Sequence, residues 1–186
     1  MSDISKTLTR RLQNAYPDLE AALKRLSDER GLVFYYGIDP TGPDIHLGHT
    51  IPLLLLKDLA RNGHKAVILL GGFTARIGDP TGKNSVRKAL SNEEVLKNKK
   101  TYANQIEKIF GDVEFSVRDN SEWLDKLKLS DFMHLAKYFT VGQILERDMF
   151  QERRKKDEPV FLHEFLYPLL QGYDSVHLKA DWRCGK

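Results

Sequence analysis

Two histidines, His46 and His49, stand three residues apart and would share one face of a helical turn. Gly48 between them would let a nucleotide approach the backbone. Imidazole N–H groups can donate hydrogen bonds to phosphoryl oxygens as charge develops on them, a role that needs no covalent chemistry. A His-x-Gly-His match alone is more often accidental or a helix-capping feature. The surrounding elements must therefore decide whether this pair acts on a phosphate.

The pair lies where a strand, a loop and a helix meet. Val33 to Tyr36 is a short apolar run, Gly37 to Asp44 is rich in glycine and proline, and Leu47 to Arg61 has the pattern of a buried helix. A loop that leads from a strand to a helix N-terminus gathers backbone N–H groups and the positive end of the helix dipole. The sequence therefore predicts an anion site, suited to a phosphate, in this loop.

A second apolar strand, Ala66 to Leu70, follows at the spacing of a right-handed crossover. We therefore predict an α/β fold with a Rossmann-like, doubly wound parallel sheet. The loop after this strand, residues 71–87, carries four glycines and several charges. Ligands of doubly wound sheets bind at the carboxyl ends of the strands, so both loops should face one crevice. A plain turn at residues 79–82 is the alternative interpretation of the second loop.

The other predicted elements surround this core. They are two short helices within an N-terminal segment (1–30), a helix from a Ser91 capping box to about Phe110, a strand at Val113 to Val117, a helical insertion at about 121–160, and a last helix from Leu162 to Tyr173. The insertion includes a charge run, Gln151 to Glu158, without apolar periodicity. This run is predicted to be a solvated loop or a frayed helix end, and contact with a nucleic-acid backbone is the alternative.

One face of the last predicted helix carries Tyr167, Gln171 and Asp174 at i, i+4 and i+7. A polar stripe of this kind is usually the solvent-exposed face of a helix. This stripe, however, combines a phenol, an amide and a carboxylate, which together suit a bound zwitterion or hydroxyl group. The stripe is therefore a candidate ligand-binding face.

Composition bounds the class of protein. The 186-residue chain is 41% hydrophobic and 30% charged with a formal net charge of +3, which fits one globular domain and does not by itself indicate a polyanionic partner. A single cysteine, Cys184, excludes an internal disulfide and a cysteine-based zinc site. No apolar run approaches the length of a membrane span. We expect a cytoplasmic protein that does not contact a membrane.

Four motifs occur in order along the chain: Gly37-Ile-Asp-Pro-Thr41, His46-Leu-Gly-His49, Gly78-Asp-Pro-Thr-Gly-Lys83 and Leu170-Gln-Gly-Tyr-Asp174. Together, and with their spacing, they closely resemble the tyrosyl-tRNA synthetases, a family of class I aminoacyl-tRNA synthetases. The resemblance covers about Asp18 to Asp181, and residues 31–181 would form the first half of the catalytic domain. It implies that tyrosine attacks the α-phosphate of ATP to give tyrosyl-adenylate and pyrophosphate, and that the tyrosyl group then passes to tRNA(Tyr).

The resemblance also implies which residues form the site. Those implied in catalysis are Thr41, His46, His49, Lys83 and Arg87, of which Lys83 and Arg87 would assist the departure of pyrophosphate. Those implied in ATP binding are Gly37, Asp39, Thr41, His46, Gly48 and His49. Those implied in tyrosine binding are Tyr35 and Asp174 at the phenol, Asp79, Tyr167 and Gln171 at the ammonium group, and Asp39 and Thr74 along the pocket.

The resemblance extends to cofactors and partners. ATP would enter with Mg²⁺ as a substrate complex, held mainly through phosphates and water, and we expect no tightly bound cofactor and no dedicated protein metal site. Members of the family form homodimers, and residues from about Trp123 to Phe150 would lie near that interface.

The resemblance stops at Asp181. The family pattern continues there with an Ile-Gly-Gly-Ser/Thr-Asp-Gln segment, whereas this sequence reads Trp182-Arg-Cys-Gly-Lys186. The second half of the nucleotide-binding fold, the Lys-Met-Ser-Lys-Ser loop and the anticodon-binding domain do not follow. We therefore expect a truncated tyrosine–tRNA ligase whose residues 182–186 are an atypical end, such as a cloning scar or an altered reading frame. The alternatives are a non-catalytic synthetase-like module that binds tyrosine, nucleotide or RNA, and a stand-alone nucleotidylyltransferase.

Overall fold

The structure, a computed structural model, describes residues 8, 11–12, 14–77 and 90–185 of the chain. Its strands are β1 (Val33–Ile38), β2 (Lys65–Leu70), β3 (Ser116–Asp119) and β4 (Trp182–Cys184). They form one sheet in the order β3-β2-β1-β4, and every neighbouring pair is parallel. In the described part of the chain, the predicted α/β fold with a parallel, Rossmann-like sheet is therefore confirmed.

Helices connect the strands. Those in the described ranges are α1 (Leu19–Asp28), α2 (Leu47–Arg61), α3 (Thr74–Ile77), α4 (Asn92–Phe110), α5 (Ser121–Leu124), α6 (Leu129–Ala136), α7 (Val141–Leu145), α8 (Asp148–Lys155) and α9 (Leu162–His177). The predicted capping box of α4 is confirmed, because Ser91 and Glu94 each accept the other's backbone N–H. None of these helices is both long and apolar enough to cross a lipid bilayer.

The sheet is covered on both faces. Phe34 and Ile68 belong to a buried cluster that includes apolar side chains of α2 and α4. Tyr35 and Leu69 belong to a second cluster, with side chains of α5 and α9. Successive residues of a strand point to opposite faces, so these two clusters lie on opposite sides of the sheet. A strand buried on both faces needs apolar residues throughout, which explains the unbroken apolar run from Ala66 to Leu70.

The third strand differs from its prediction. It spans Ser116–Asp119 rather than Val113 to Val117. Val113 and Phe115 are partly buried against the cluster that includes α2 and α4, and the ring centroids of Phe115 and Phe110 are 4.3 Å apart. These apolar residues therefore anchor the chain after α4, and the strand pairing with β2 begins only beyond them.

The charge run was predicted to be a solvated loop or a frayed helix end. Residues 151–155 form the second half of α8, so the loop is wrong over these residues and a helix end is what the structure shows. Buried Phe150 anchors this helix against Phe165 of α9, with 5.1 Å between the ring centroids. Arg153 donates to both carboxylate oxygens of Glu164 at 2.8 Å. Arg153 is thus bound within the protein, which weakens the alternative of a nucleic-acid contact for this run.

Residues 182–184 continue the sheet beyond the expected domain boundary at residue 181. They form β4, which pairs with β1 from Trp182 opposite Phe34 to Cys184 opposite Tyr36. The Trp182 ring packs edge-on against Phe34 with 5.3 Å between the centroids, and Cys184 is buried. Strand pairing uses the backbone, so a departure from the family's side-chain pattern is compatible with it.

One histidine is buried, and its ring forms no hydrogen bond with the described residues. His64, just before β2, is 6% exposed, and neither of its ring nitrogens has a hydrogen-bond partner among the described residues. Burial, followed by the nearby Arg30, lowers the pKa of His64 below the ordinary value of a histidine. At this position the unfolded chain therefore binds more protons than the folded one as the pH falls below about 6.5, so the contribution of His64 to stability falls on acidification.

We expect His64→Leu to raise the free energy of unfolding by about 1–2 kcal/mol at pH 7.5, because the substitution removes two unsatisfied buried nitrogens. The gain should be larger at pH 5.5, where the unfolded state of the unsubstituted chain is protonated at this position. Urea denaturation at both pH values measures these differences, with His134→Gln at an exposed position as the control. The same loss on acidification in the unsubstituted chain and in His64→Leu would contradict the expectation.

Candidate functional site

The candidate site lies at the carboxyl ends of β1 and β2. Asp39 follows β1 directly, and Gly71 follows β2 directly. Helix α9 packs over the sheet beside them, where its Leu170 shares a buried cluster with Tyr35 of β1. Elements from distant parts of the sequence therefore meet at the carboxyl-end edge of a parallel sheet, the edge at which ligands of such folds bind.

Asp39 joins two other residues that the sequence placed in the tyrosine pocket. Thr74 Oγ1, in α3, donates to Asp39 Oδ1 at 2.6 Å. Tyr167, in α9, donates its hydroxyl to Asp39 Oδ2 at 2.8 Å. Each oxygen of the carboxylate thus holds a side chain from a different helix, and hydrogen bonds to an ionised group are the stronger kind.

A second carboxylate, Asp174 of α9, is connected to the first. The indole N–H of Trp123 donates to Asp174 Oδ1 at 2.8 Å, and Asn120 Nδ2 lies 3.3 Å from Asp174 Oδ2. The same amide nitrogen lies 3.1 Å from Thr74 Oγ1. A continuous hydrogen-bond network therefore runs from Tyr167 through both carboxylates to Trp123.

Burial changes the acidity of Asp174. This side chain is 3% exposed, and its desolvation raises its pKa from 3.8 to about 6, against the hydrogen bonds from Trp123 and Asn120, which lower it. The charge of Asp39 adds to the rise. At neutral pH the carboxyl is therefore mostly ionised and able to accept a hydrogen bond, but it gives up that capacity in mild acid.

Tyr35 adds a hydroxyl to the same region. Its oxygen lies 2.7 Å from Ser175 Oγ and donates to the backbone carbonyl of Gln171 at 3.5 Å. Burial raises the pKa of the Tyr35 phenol above its ordinary value, so the hydroxyl keeps its proton. A neutral hydroxyl can both donate and accept, which suits recognition of another hydroxyl group.

Sequence reasoning missed three residues of this network. Asn120 and Trp123 come just after β3, and their position at the carboxyl end of a third parallel strand was the signal that could have identified them. Ser175 follows Asp174 in the sequence and carries no signal of its own. Trp123 makes two contacts with α9, because its indole N–H donates to Asp174 and its ring stacks on His177 with 4.2 Å between centroids.

The structure brings together most of the residues expected to bind tyrosine. Those that lie together at the carboxyl-end edge of the sheet are Tyr35, Asp39, Thr74, Tyr167, Gln171 and Asp174. Asp79, Lys83 and Arg87, with the motif that begins at Gly78, lie outside the described residues.

The two histidines open α2, as the sequence indicated. His46 is the N-cap of this helix, and its backbone N–H donates to His49 Nδ1 at 3.4 Å. The rings stack with 3.6 Å between centroids. A Cβ at Gly48 would lie 3.0 Å from the His46 ring, so glycine allows that ring to lie across the first turn. His46 and Thr41 are both exposed to solvent.

Gly37 and His49, which flank the loop on either side, are two of the residues implied in ATP binding. A Cβ added at Gly37, in β1, would have only the Tyr35 ring within 4 Å, at 3.9 Å, so the protein's own packing does not demand glycine there. The His49 ring is half-buried, and burial followed by the neighbouring His46 lowers its pKa to about 4. His49 is therefore a neutral imidazole at physiological pH, with Nδ1 engaged by the backbone and Nε2 left as the N–H donor.

A histidine titration follows from this arrangement. We expect the His49 ring to titrate near pH 4 in the folded chain and to remain neutral through the range where a free histidine is protonated. In His46→Ala the His49 pKa should rise, because one of its two causes is removed, without reaching the ordinary value. Two-dimensional NMR of the ring resonances measures both values, and the His64 titration serves as an internal control. A His49 pKa near 6.5 in the unsubstituted chain would contradict the expectation.

The described side chains include no cluster of three His, Cys, Asp or Glu residues placed to hold a metal ion. The described side chains of the site are hydrogen-bond donors and acceptors, among them two carboxylates: Asp174, which is buried, and Asp39, which is half-buried.

Comparison with known proteins identifies relatives of the whole described fold. A family profile described as tRNA synthetases class I (W and Y) matches residues 27–185. A tyrosine–tRNA ligase of Trichormus variabilis is 50% identical over 178 residues, which cover 92% of this chain and 44% of that protein. One from Francisella tularensis is 46% identical over 187 aligned residues, which cover 100% of this chain and 47% of that protein. The chain spans less than half the length of these curated relatives.

Solved structures agree with the sequence comparisons. A C-terminally truncated mitochondrial tyrosyl-tRNA synthetase from Aspergillus nidulans superposes with a TM-score of 0.80 and 26% identity, over 96% of this chain and 54% of that chain. The predicted class I synthetase fold and the resemblance drawn from the four motifs are thus confirmed at the level of the family. The chain belongs to the class I tRNA synthetases of the tryptophan and tyrosine group.

Proposed function

We propose that this chain carries the tyrosine-activating half of a tyrosine–tRNA ligase. The carboxylate of tyrosine attacks the α-phosphate of ATP, a carboxylate–phosphate bond forms, and pyrophosphate leaves. The observation that carries the proposal is the hydrogen-bond network through Asp39, Thr74, Tyr167 and Asp174, which begins in the same loop that ends at His46. The alternative of a synthetase-like module that only binds ligands is kept as an outcome of the test below.

The tyrosine end of the site would use both carboxylates. Asp174 is suited to accept the phenol O–H of the substrate, and Tyr35 to donate to its oxygen. Tyr167 and Gln171, with Asp79 as the expected third partner, would hold the ammonium group. Asp39 and Thr74 would line the pocket, and the bonds of Asp39 to Thr74 and Tyr167 fix those side chains before substrate arrives. Such preorganisation limits the entropy lost on binding.

The ATP end would use the loop between β1 and α2. Thr41 and His46 are suited to stabilise the charge that develops on the α-phosphate, and neutral His49 to support the nucleotide. Gly37, Asp39 and Gly48 would lie along the ATP, and Lys83 and Arg87 would assist the departure of pyrophosphate. Mg²⁺ would arrive bound to the ATP phosphates. In-line displacement at phosphorus needs positioning and charge stabilisation, which these groups provide without a protein nucleophile.

The whole protein's activity and assembly are part of the proposal. Transfer of the tyrosyl group to tRNA(Tyr), in the cytoplasm, would follow activation, as in a tyrosine–tRNA ligase. We further propose a homodimer that forms through residues from about Trp123 to Phe150. Large apolar side chains of this segment are exposed, namely Leu129, Met133, Tyr138 and Val141. Exposed apolar surface of this kind is typical of an interface.

Tyrosine-dependent exchange of labelled pyrophosphate into ATP tests the function directly. We expect exchange with tyrosine and none with phenylalanine on the 186-residue chain. Binding of tyrosine, measured by calorimetry, without exchange would favour the non-catalytic module. Exchange that did not depend on an amino acid would favour a stand-alone nucleotidylyltransferase instead.

A further inference from the structure

The loop from Pro40 to Ile45 connects the two ends of the proposed site. Asp39 precedes it, and His46 follows it. Asp39 belongs to the hydrogen-bond network that runs from Tyr167 to Trp123, which is called the tyrosine network below because it would hold the substrate tyrosine. Two of its residues are prolines, which lack the backbone N–H that would stabilise a loop from within. Within this segment, the Thr41 N–H donates to the Asp39 carbonyl at 2.8 Å. The geometry of the loop therefore depends on contacts from outside it.

One face of α4 supplies such contacts. Asn98, Thr101 and Gln105 are spaced at i, i+3 and i+7, so they lie on the same side of the helix. Asn98 Nδ2 donates to the Pro40 carbonyl at 2.9 Å, and Asn98 is buried. Thr101 Oγ1 lies 2.5 Å from the Pro43 carbonyl oxygen and 2.8 Å from the carbonyl oxygen of Asn98 in its own helix, and the shorter distance favours donation to Pro43. Both acceptors in the loop are carbonyls of the residues that cannot donate.

Gln105 uses both ends of its amide on the same loop. Its Nε2 lies 3.2 Å from the Pro43 carbonyl oxygen and 3.1 Å from Asp44 Oδ1. Its Oε1 accepts the Ile45 N–H at 3.1 Å. Ile45 directly precedes the N-cap of α2, so Gln105 fixes the direction from which the chain enters that helix.

Helix α4 also holds α2 itself. Lys57 of α2 donates to the carbonyl of Ile109 in α4 at 2.7 Å, and both helices contribute to one buried cluster. The loop that carries Thr41 and the helix that carries His49 therefore share one support. Their relative position is set by α4, and no residue of α4 was singled out for this role by the sequence motifs.

We infer that Asn98, Thr101 and Gln105 are positioning residues for the nucleotide half of the site, an inference that rests on the proposed function. They hold the loop so that Thr41 and His46 face the α-phosphate, and their hydrogen bonds go to loop residues between Pro40 and Ile45. Displacement of the groups that would contact the adenylate portion weakens binding of a ligand that carries this portion, whereas tyrosine alone does not use those groups.

The test compares two ligands on the full 186-residue chain. One is tyrosine, and the other is 5′-O-(N-tyrosylsulfamoyl)adenosine, a non-reactive analogue of the adenylate. We expect Thr101→Val combined with Gln105→Leu to weaken binding of the analogue by about tenfold or more, with an unchanged dissociation constant for tyrosine. Thr101→Ser, which keeps the hydroxyl, should bind both ligands as the unsubstituted chain does. Asn104→Leu, at the neighbouring exposed position of α4, is the matched control.

The possible outcomes separate the inference from the proposed function. Unchanged binding of the analogue by the double variant, or equal weakening of both ligands, would overturn the positioning role and leave the proposed function standing. Failure of the unsubstituted chain to bind either ligand would overturn the proposed function and the inference with it. Weakening that is confined to the analogue in the double variant and absent in Thr101→Ser supports the positioning role, since a general loss of stability would affect both ligands.

Discussion

Asp174→Ala is expected to remove most of the preference for tyrosine over phenylalanine while changing the stability of the fold only modestly. In the proposed complex Asp174 accepts the substrate's phenol O–H, a hydrogen bond to a charged group. Such a bond contributes about 1.5–3 kcal/mol, so tyrosine should bind about tenfold to 150-fold more weakly to the variant. Phenylalanine makes no such bond, and its affinity should change little or improve, because it no longer desolvates a carboxylate.

Two opposing effects make the expected change in stability small. The substitution leaves the Trp123 and Asn120 N–H groups without their acceptor, which costs about 1–3 kcal/mol for each buried donor. It also removes a buried carboxyl whose pKa is raised to about 6, and which is therefore held in its charged form at neutral pH at a cost in stability. Since the second effect offsets much of the first, we expect a loss of about 1–2 kcal/mol at pH 7.

The pH dependence provides an independent check on Asp174. Its folded pKa lies above its unfolded value of 3.8, so its unfavourable contribution is complete above about pH 6 and disappears as the pH falls below 4. The stability of Asp174→Ala relative to the unsubstituted chain should therefore fall on acidification through this range. Calorimetric titration with both amino acids and urea denaturation at pH 7 and pH 4.5 measure these effects. An unchanged ratio of tyrosine to phenylalanine affinity would refute the assignment of Asp174 to the phenol.

Gly71→Ala should disrupt the hydrogen bonds of the tyrosine network through steric overlap. A Cβ at this position would lie 1.8 Å from Asp39 Oδ1 and 2.4 Å from Thr74 Oγ1, far closer than atoms can approach. The Asp39 carboxylate must therefore move, and with it the hydrogen bonds to Thr74 and Tyr167. We expect overpacking to cost about 1–3 kcal/mol of stability. We also expect tyrosine affinity to fall about 100-fold, since the displaced groups line the proposed pocket.

Gly172→Ala is the matched control for this substitution. Gly172 lies in α9 and is exposed, and nothing lies within 4 Å of a Cβ placed there. Alanine is the better helix former, so this variant should gain about 0.5–1 kcal/mol of stability and bind tyrosine normally. Thermal unfolding measures the stability of both variants, and calorimetry measures their affinity for tyrosine. Normal tyrosine affinity in Gly71→Ala would show that Asp39 and its partners are not part of the pocket.

The sequence predicted those features that local chemistry determines. Leu47–Arg61 is the helix that was predicted, because its apolar pattern and the glycine after it define both ends. β2 could be predicted from its unbroken apolar run, and the Ser91 capping box fixed the start of α4. The motifs identified Asp39 and Asp174, and the polar stripe of the last helix identified Tyr167; the structure joins these residues in one network.

Features that depend on tertiary contacts were harder to predict. The limits of β3 depend on where pairing with β2 begins, and its apolar neighbours Val113 and Phe115 serve the core instead. Asn120 and Trp123 acquire their role only through Asp174, which lies more than 50 residues away in the sequence. The contacts of α4 with the loop from Pro40 to Ile45 also depend on tertiary structure. They could not be predicted, since asparagine, threonine and glutamine on a helix usually face solvent.

The position of Trp123 makes the pocket observable by fluorescence. The chain contains two tryptophans, and the other, Trp182, packs on Phe34 at the opposite face of the sheet. The Trp123 indole donates to the carboxylate proposed to receive the substrate's phenol, so ligand binding or protonation of Asp174 changes the polarity felt by that ring. In a Trp182→Phe chain the emission would come from Trp123 alone. We expect Trp123 to act as an intrinsic fluorescent reporter of tyrosine binding, one that needs neither a label nor catalytic turnover.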